Sequence, residues 1–291
     1  MNTLSTIGIP IYTLAKYRGM GQAAAALREQ GIIDAISTGG SVVDYGIIEL
    51  PELTRDSGPE TFRNGDHFLK CSRLIASAAS LVANRDLLLC LGGECSLVPG
   101  ELAGLQQVFE GDVGIVWFDA HGDFNTPETT CSGFIGGMPL ALACGRGPAI
   151  GLGNYPLVKE ENVIHIGGRD LDPREREAMS HSTMTIYSAI ELRKKGRDHV
   201  ANEMRSNLEK TGGWVIAHID LEVLEPSLMP AVNYPANDGL SFDELACLFS
   251  AVKTCGRLKV VNVTAYNPEH DKDGSICQKA IQLVARLLAS E

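Results

Sequence analysis

Two aspartates and a histidine alternate in the segment WFDAHGDFN, residues 117–125: they are Asp119, His121 and Asp123. In an extended backbone, side chains at alternate positions point to the same side. Carboxylate oxygens and imidazole nitrogens are suitable ligands for divalent Mn, Fe, Ni or Zn. The spacing therefore indicates part of a metal site. A capped, solvated turn is the competing interpretation of this motif taken alone.

A second acidic pair follows another apolar run: Asp220 and Glu222 lie in HIDLEVLEP, residues 218–226. In open parallel sheets, ligands bind beyond the carboxyl ends of the strands. We therefore expect both acidic groups to converge on one edge, together with the cluster GGECS at residues 92–96. Carboxylates packed so closely cannot all stay ionised without cations. Two divalent ions about 3.5–4 Å apart, sharing some of the ligands, would resolve the repulsion.

Apolar runs and amphipathic segments alternate along the chain and would position these side chains. The predicted strands are Ser5–Tyr12, Val42–Leu50, Leu87–Leu91, Val113–Phe118, Val163–Ile166, Thr183–Tyr187, Trp214–Ile219 and Lys259–Thr264. The predicted helices are Gly21–Gln30, His67–Ala83, Leu97–Phe109, Arg174–Ser180, Ala189–Glu209, Phe242–Thr254 and Ser275–Ala289. Apolar strands that alternate with amphipathic helices indicate an α/β fold, a parallel sheet covered on both faces. We expect one domain over residues 1–291, with a surface loop at Gly145–Gly153.

The amino-acid composition indicates which classes of binding partner and which cellular setting to expect. The formal net charge of −11 disfavours nucleic acid and anionic membranes as partners, and it fits a small or cationic ligand. We find no run of about 18 apolar residues and no signal-peptide pattern, so we expect no membrane span. The eight cysteines follow no disulfide framework, which favours reduced thiols and a cytoplasmic protein. We interpret Cys131 as incidental, and His165 and His218 as histidines buried within strands.

Three motifs give the chain a resemblance to the arginase/agmatinase (ureohydrolase) family over essentially its whole length. That family typically carries Gly-Gly-Asp-His-Ser, Asp-Ala-His-x-Asp and Asp-x-Asp-x-x-Asp-Pro, where this chain has GGECS, DAHGD and DLEVLEP. Further matches are Asn125-Thr126-Pro127, Ser132-Gly133, Gly168-Arg169-Asp170 and Asn267-Pro268. The resemblance implies a three-layer α/β/α fold with a central eight-stranded parallel sheet. It also implies a homo-oligomer, either a trimer or a hexamer.

The resemblance further implies a binuclear metal site, most typically of manganese, with Zn, Fe or Ni as alternatives. A hydroxide that bridges the metals would attack the carbon of a guanidine, hydroxyguanidine or related linear amidine and cleave a C–N bond. By position, one metal is assigned Cys95, Asp119, Asp123 and Asp220. The other is assigned Asp119, His121, Asp220 and Glu222. We expect catalysis to depend on Asp123 and His121.

Four further positions match residues that hold an amino-acid substrate in arginases. Asn125 and Ser132 correspond to residues that bind its amino-acid end. Asp172 and Glu175 correspond to acidic residues that meet its α-amino group. The resemblance therefore predicts these four as the substrate-binding residues of a small-molecule enzyme.

The chain also departs from the family pattern at metal-ligand positions. Cys95 stands where the family has a histidine ligand, and a thiolate there would add one negative charge and soften the site. The alternative is that Cys95 is a buried, protonated thiol beside one weak or missing metal. Glu222 replaces an aspartate and is one methylene longer. A cysteine at this position, together with HGDFNTPETT at residues 121–130, resembles a branch of the family that hydrolyses hydroxyguanidines such as hydroxyarginine.

Two catalytic positions of the family are also replaced. Ala265 stands at the position of the guanidinium-binding glutamate, and Gly136 at that of the proton-shuttling histidine. We interpret Glu269 and His270, which are close to Ala265 in the sequence, as surface-loop residues; the alternative is that one of them substitutes for a missing group. The departures keep two alternatives open: a catalytically impaired homologue that binds a ligand or acts as a regulatory or structural subunit, and a hydrolase of an unrelated amide.

Overall fold

Residues 3–37, 40–83 and 87–289 are described by the computed structural model. The two ends of the predicted domain 1–291, together with residues 38–39 and 84–86, lie outside the described part. No helix among the described residues is long and apolar enough to cross a membrane.

Eight strands form one sheet. In chain order, strands β1 to β8 are Leu4–Ile9, Val42–Ile47, Leu87–Gly92, Val113–Phe118, Val163–Ile166, Thr185–Tyr187, Trp214–Asp220 and Leu258–Thr264. Every neighbouring pair is parallel, and the order across the sheet is β2-β1-β3-β8-β7-β4-β5-β6. Strands β3, β8, β7 and β4 are therefore adjacent at its centre, and their carboxyl ends share one edge.

Helices cover both sides of the sheet. Helices α1 to α10 are Ala23–Glu29, Ile32–Ile36, Gly65–Val82, Val98–Leu105, Pro139–Ala143, Pro173–Ser180, Ala189–Lys195, Arg197–Lys210, Phe242–Thr254 and Ser275–Leu288. This arrangement confirms the predicted three-layer α/β/α architecture. The segment Gly145–Gly153 contains neither helix nor strand, as expected for a loop.

Several predicted elements need correction. The predicted helix Ala189–Glu209 is two helices, because Gly196 adopts a φ of 88°, a left-handed conformation that ends α7 before α8 begins. The predicted helix Gly21–Gln30 is also divided, since a 3-10 segment covers Ala15–Gln22 before α1 starts. Helices α2 and α5 were not predicted, because each is only five residues long.

The central strands are buried on both faces. Val116 and Phe118 of β4 belong to the apolar cluster that includes α8, α9 and α10, while Ile115 and Trp117 of the same strand belong to the cluster that includes α3, α4 and α5. Alternating side chains of one strand thus enter opposite layers, which is why these strands read as continuous apolar runs. The packing fixes where each strand ends, and so where the polar residues after it begin.

Candidate metal and substrate site

The polar residues at the carboxyl ends of β3, β4 and β7 meet at one edge of the sheet. The Sγ atom of Cys95 lies 2.9 Å from Oδ2 of Asp220 and 4.0 Å from Oδ2 of Asp119. One possible ligand atom from each of Cys95, Asp119 and Asp123 falls within 4.8 Å of the others. The predicted convergence of the three motifs is therefore present in the structure.

His121 connects this group to the last predicted ligand. Its Nδ1 atom lies 3.3 Å from Oδ1 of Asp119 and 3.3 Å from Oε2 of Glu222. The backbone carbonyl of His121 accepts a hydrogen bond of 2.8 Å from Nε2 of His165, which lies within β5 and is fully buried. The six residues predicted as metal ligands thus form one connected cluster. Their binding of metal remains a prediction.

Backbone and indole N–H groups orient the carboxylates. Asp119 accepts hydrogen bonds from the indole Nε1 of Trp117 at 3.1 Å and from the amide of His121 at 2.9 Å. Asp220 accepts one from the amide of Glu222 at 2.7 Å. Asp123 instead adopts a φ of 50°, which is uncommon for a residue other than glycine. Such supporting contacts fix the direction of ligand atoms.

The electrostatics of the cluster suit a cation. Burial, and then the charge of Asp119, raises the pKa of Asp123 and of Asp220 well above the usual range. Burial opposes ionisation of Asp119 as well, but hydrogen bonding and the charge of His121 lower its pKa overall. Burial and then Asp220 raise the pKa of the Cys95 thiol. The cluster therefore resists carrying all its negative charges, a cost that divalent ions would remove.

An unpaired buried oxygen supports the same conclusion. Oδ2 of Asp123 has no hydrogen-bond partner among the described residues, although the side chain is only 5% exposed. Buried polar atoms without partners are rare and call for a missing water or ion. The donor set, of carboxylates, one imidazole and one thiol, fits Mn, Fe or Zn. The residues present thus fit a metal group of the predicted kind.

The four predicted substrate-binding residues line the same cavity, which has a volume of about 270 Å³. Asn125 donates a hydrogen bond of 3.1 Å to the carboxylate of Asp172. The carboxylate of Glu175 is already engaged, since it accepts from the amide of Phe124 at 2.9 Å and from that of Asp172 at 3.2 Å. Glu175 thereby completes a capping box at the start of α6. The carboxylate of Asp172 is engaged as well, by Asn125 and by the same capping box, but Asp172 is more exposed than Glu175.

Both replaced catalytic positions face the cavity. Gly136 and Ala265 are among its lining residues, and Ala265 has a φ of 70°. Glu269 and His270 are exposed and are not among the lining residues found in the described chain. The favoured interpretation of these two as surface-loop residues agrees with this placement.

Glu94, Phe134 and Tyr234 are among the lining residues to which the sequence assigned no role. Glu94 lies inside the GGECS motif, next to a predicted ligand, and Phe134 lies between Ser132 and Gly136. Their positions beside predicted site residues could have indicated that both line the cavity. Tyr234 comes twelve residues after Glu222 along an irregular loop, and nothing in the sequence pattern predicts that it returns to the cavity.

Arg169 holds this loop in place. Its guanidinium group donates hydrogen bonds to the carbonyl oxygens of Glu222 at 2.8 Å, Val223 at 3.2 Å and Ala236 at 2.8 Å. The loop in turn places the amide of Tyr234 2.7 Å from Oε1 of Glu222. One arginine therefore positions a predicted ligand and the cavity wall together.

Known proteins match this chain over nearly its whole length, both in sequence and in structure. The model of the arginase family matches residues 2–290. The arginase of Bacillus subtilis (strain 168) is 32% identical over 294 residues, which cover 99% of this chain and 98% of that protein. Human arginase-1 is 28% identical over 93% of this chain and 86% of its own length. The crystal structure of the Bacillus caldovelox arginase superposes with a TM-score of 0.91 at 30% identity, covering 100% of this chain and 99% of the other. The formimidoylglutamase of B. subtilis shares the fold, with a TM-score of 0.80 at 16% identity over 99% of this chain and 86% of the other.

Proposed function

Because the chain belongs to the arginase family, we propose that it is a metal-dependent hydrolase that cleaves a C–N bond of a guanidine, hydroxyguanidine or related linear amidine. The observation that carries the proposal is the buried cluster around Cys95, Asp119 and Asp123, whose ligand atoms lie within 4.8 Å of one another. Curated relatives named arginase match over nearly the whole chain and support the same reaction class.

Two divalent ions, most typically manganese, would be held by the six residues of the cluster. Cys95 and Asp123 would hold one ion, His121 and Glu222 would hold the other, and Asp119 and Asp220 would contribute to both. Bound there, such ions supply Lewis-acid activation of water and of the substrate. Trp117 and the backbone amides orient the carboxylates, so that little reorganisation is needed when a ligand arrives.

The substrate would enter the cavity with its reacting carbon towards the cluster. Asn125, Ser132 and Asp172 line the cavity and would hold an amino-acid end by hydrogen bonds and charge. The net charge of −11 favours a cationic substrate in the approach to the site. We further propose a homo-oligomer of trimeric or hexameric form. The eight free cysteines support a reducing, cytoplasmic setting.

Metal content and product release test this proposal. Protein purified with Mn supplied should contain close to two ions per chain by elemental analysis. A panel of arginine, hydroxyarginine, agmatine and formiminoglutamate should include one substrate that releases urea, hydroxyurea or the corresponding amide. Asp123→Asn should lose turnover and metal, whereas Asp112→Asn, which changes a carboxylate paired with Lys159 at the surface, should lose neither.

A catalytically impaired homologue is the second candidate, and Gly136 and Ala265 are the observations that favour it. It predicts ligand binding without release of any product across the panel. Release of an amine without urea or a related fragment would instead indicate hydrolysis of an unrelated amide. Protein that binds no metal when Mn is supplied would overturn the main proposal.

A further inference from the structure

Two aromatic side chains form one wall of the cavity. Phe134 and Tyr234 line it, with ring centroids 6.0 Å apart and an interplanar angle of 33°. Tyr17 packs against both rings, with centroids 5.5 Å from Phe134 and 5.3 Å from Tyr234. We call Phe134 and Tyr234 the aromatic wall. It brings ring surface into a cavity otherwise dominated by carboxylates.

Tyr234 of the aromatic wall contacts two of the predicted metal ligands. The amide of Tyr234 donates to Oε1 of Glu222 at 2.7 Å, and the ring of Tyr234 lies 6.0 Å from the ring of His121 in an edge-on arrangement. The hydroxyl groups of Tyr234 and Tyr17 are hydrogen-bonded to each other. The backbone, ring and hydroxyl of Tyr234 therefore each contact a neighbouring residue, and two of these neighbours, Glu222 and His121, are predicted ligands.

Phe134 occupies space that a side chain at position 136 would need. A Cβ atom added to Gly136 would lie 2.6 Å from Cε1 of Phe134 and closer still to Cζ. The next residue gives a direct contrast, since a Cβ atom on Gly137 would meet nothing within 4 Å. The ring of Phe134 can therefore occupy this place only because residue 136 is a glycine.

We propose that the aromatic wall determines substrate specificity by stacking on the planar face of the substrate's reacting amidine or guanidine group. This inference rests on the proposed function and adds the residues that select the group. Ala265 offers no carboxylate to that group and Gly136 no polar side chain, whereas the rings of Phe134 and Tyr234 line the same cavity and Phe134 lies against Gly136. Planar guanidinium groups stack on aromatic faces, and cations are attracted to them.

Substitutions that remove the ring but leave a branched apolar side chain test the aromatic wall. Phe134→Leu and Tyr234→Leu should each raise KM about 3- to 30-fold, the range expected for one such contact. Tyr234→Phe keeps the ring and should preserve most of the affinity. Metal content should stay that of the unsubstituted protein in all three. Tyr45→Leu removes an exposed ring on β2 and is the matched control, with KM unchanged. Unchanged KM in both leucine variants would overturn the inference.

A double-mutant cycle tests the coupling without any activity measurement. Gly136→Ala should lower the unfolding midpoint, and Gly137→Ala should lower it much less. In a Phe134→Ala background, most of the Gly136→Ala penalty should disappear, because the atoms that it overlaps are gone. An equal penalty in both backgrounds would show that Phe134 does not fill the space at position 136, and would contradict the proposal.

Different results would contradict the proposed hydrolase function and the proposed role of the aromatic wall. If the metal-loaded protein turns over nothing in the substrate panel, the proposed function fails. The wall is then tested by calorimetric titration with arginine and agmatine as probes. Weaker binding of either probe to Phe134→Leu supports the wall. Equal binding to that variant and to the unsubstituted protein, or no binding to either, overturns it.

Discussion

Cys95 places its sulfur 2.9 Å from a carboxylate oxygen of Asp220, and both side chains are buried. At this distance the thiol donates a hydrogen bond to the carboxylate. Burial and the surrounding acidic groups raise the pKa of the thiol, so the protein alone favours the protonated form. A cation placed between the two groups would reverse that preference, because metal binding displaces the proton of a coordinating thiol.

Cys95→His therefore tests whether Cys95 is a ligand. If it is, the variant should bind Mn more tightly, because imidazole suits Mn better than a soft thiolate and adds no charge to the cluster. We expect the Mn dissociation constant to fall by about tenfold, measured by titration against a chelator, with a changed turnover rate. If Cys95 is only a packed thiol, the bulkier imidazole should mainly lower the unfolding midpoint.

Cys90→Ser provides the matched control for that experiment. Cys90 is another fully buried thiol, but it lies within β3 and outside the predicted ligand set. Its replacement should cost stability and leave Mn affinity unchanged. An equal change of Mn affinity in Cys90→Ser and Cys95→His would show that a general effect on the fold, rather than ligation, explains the result at Cys95.

The topology explains how much of the site was predictable. Asp119 follows β4 and Asp220 ends β7, and the strands of a parallel sheet all end at the same edge, so the shared edge follows from the strand pattern. That β4 and β7 are neighbours does not follow, because the pattern gives no strand order. The contact between Phe134 and the space at Gly136 does not follow, because it depends on a ring rotamer within an irregular segment. Tyr234 reaches the cavity along a long loop that Arg169 and Glu222 hold in place through hydrogen bonds to its backbone. Glu175 was assigned to substrate, yet its capping pattern with Asp172 was visible in the sequence.

Arg169→Lys should destabilise the protein and weaken metal binding together. Lysine has three donors in place of five and cannot reach the same set of carbonyl groups. Buried carbonyls left without donors cost free energy, and we expect the free energy of unfolding to fall by about 2–4 kcal/mol. Denaturant unfolding and Mn titration measure the two effects. Arg174→Lys is the control, since Arg174 is exposed and donates only to the carbonyl of Glu128 at 3.1 Å among the described residues. Stable protein with weaker Mn binding would contradict the shared role of Arg169.

Ala265→Glu should increase affinity for a cationic guanidine. The position lines the cavity and is 3% exposed, so a carboxylate there would meet a bound cation away from bulk water. Charge-assisted hydrogen bonds contribute about 1.5–3 kcal/mol, which corresponds to roughly 10- to 150-fold in the dissociation constant of arginine or agmatine. Ala265→Gln has the same shape without the charge and is the control. Equal binding by the two variants would show that charge at position 265 does not act on the ligand.

Glu101→Gln should stabilise the protein at neutral and alkaline pH. Glu101 is fully buried in α4, it accepts a hydrogen bond of 2.7 Å from Asn262, and burial raises its pKa to about 7. The folded state thus holds a proton that the unfolded chain releases near pH 4.5. Stability contributed by the protonated carboxyl is complete below that value and is lost as pH rises through 7.

The difference in unfolding free energy between Glu101→Gln and the unsubstituted protein measures this effect, because contributions of other groups cancel. This difference should be constant below about pH 4.5. Between pH 4.5 and pH 7 it should rise by about 1.4 kcal/mol per pH unit, about 3 kcal/mol in total, and above pH 7 it should be constant again. Urea unfolding from pH 4 to pH 8 provides the values. Glu110→Gln, the same substitution at an exposed position beyond α4, is the matched control. A difference that does not change with pH would mean that Glu101 ionises equally easily in both states.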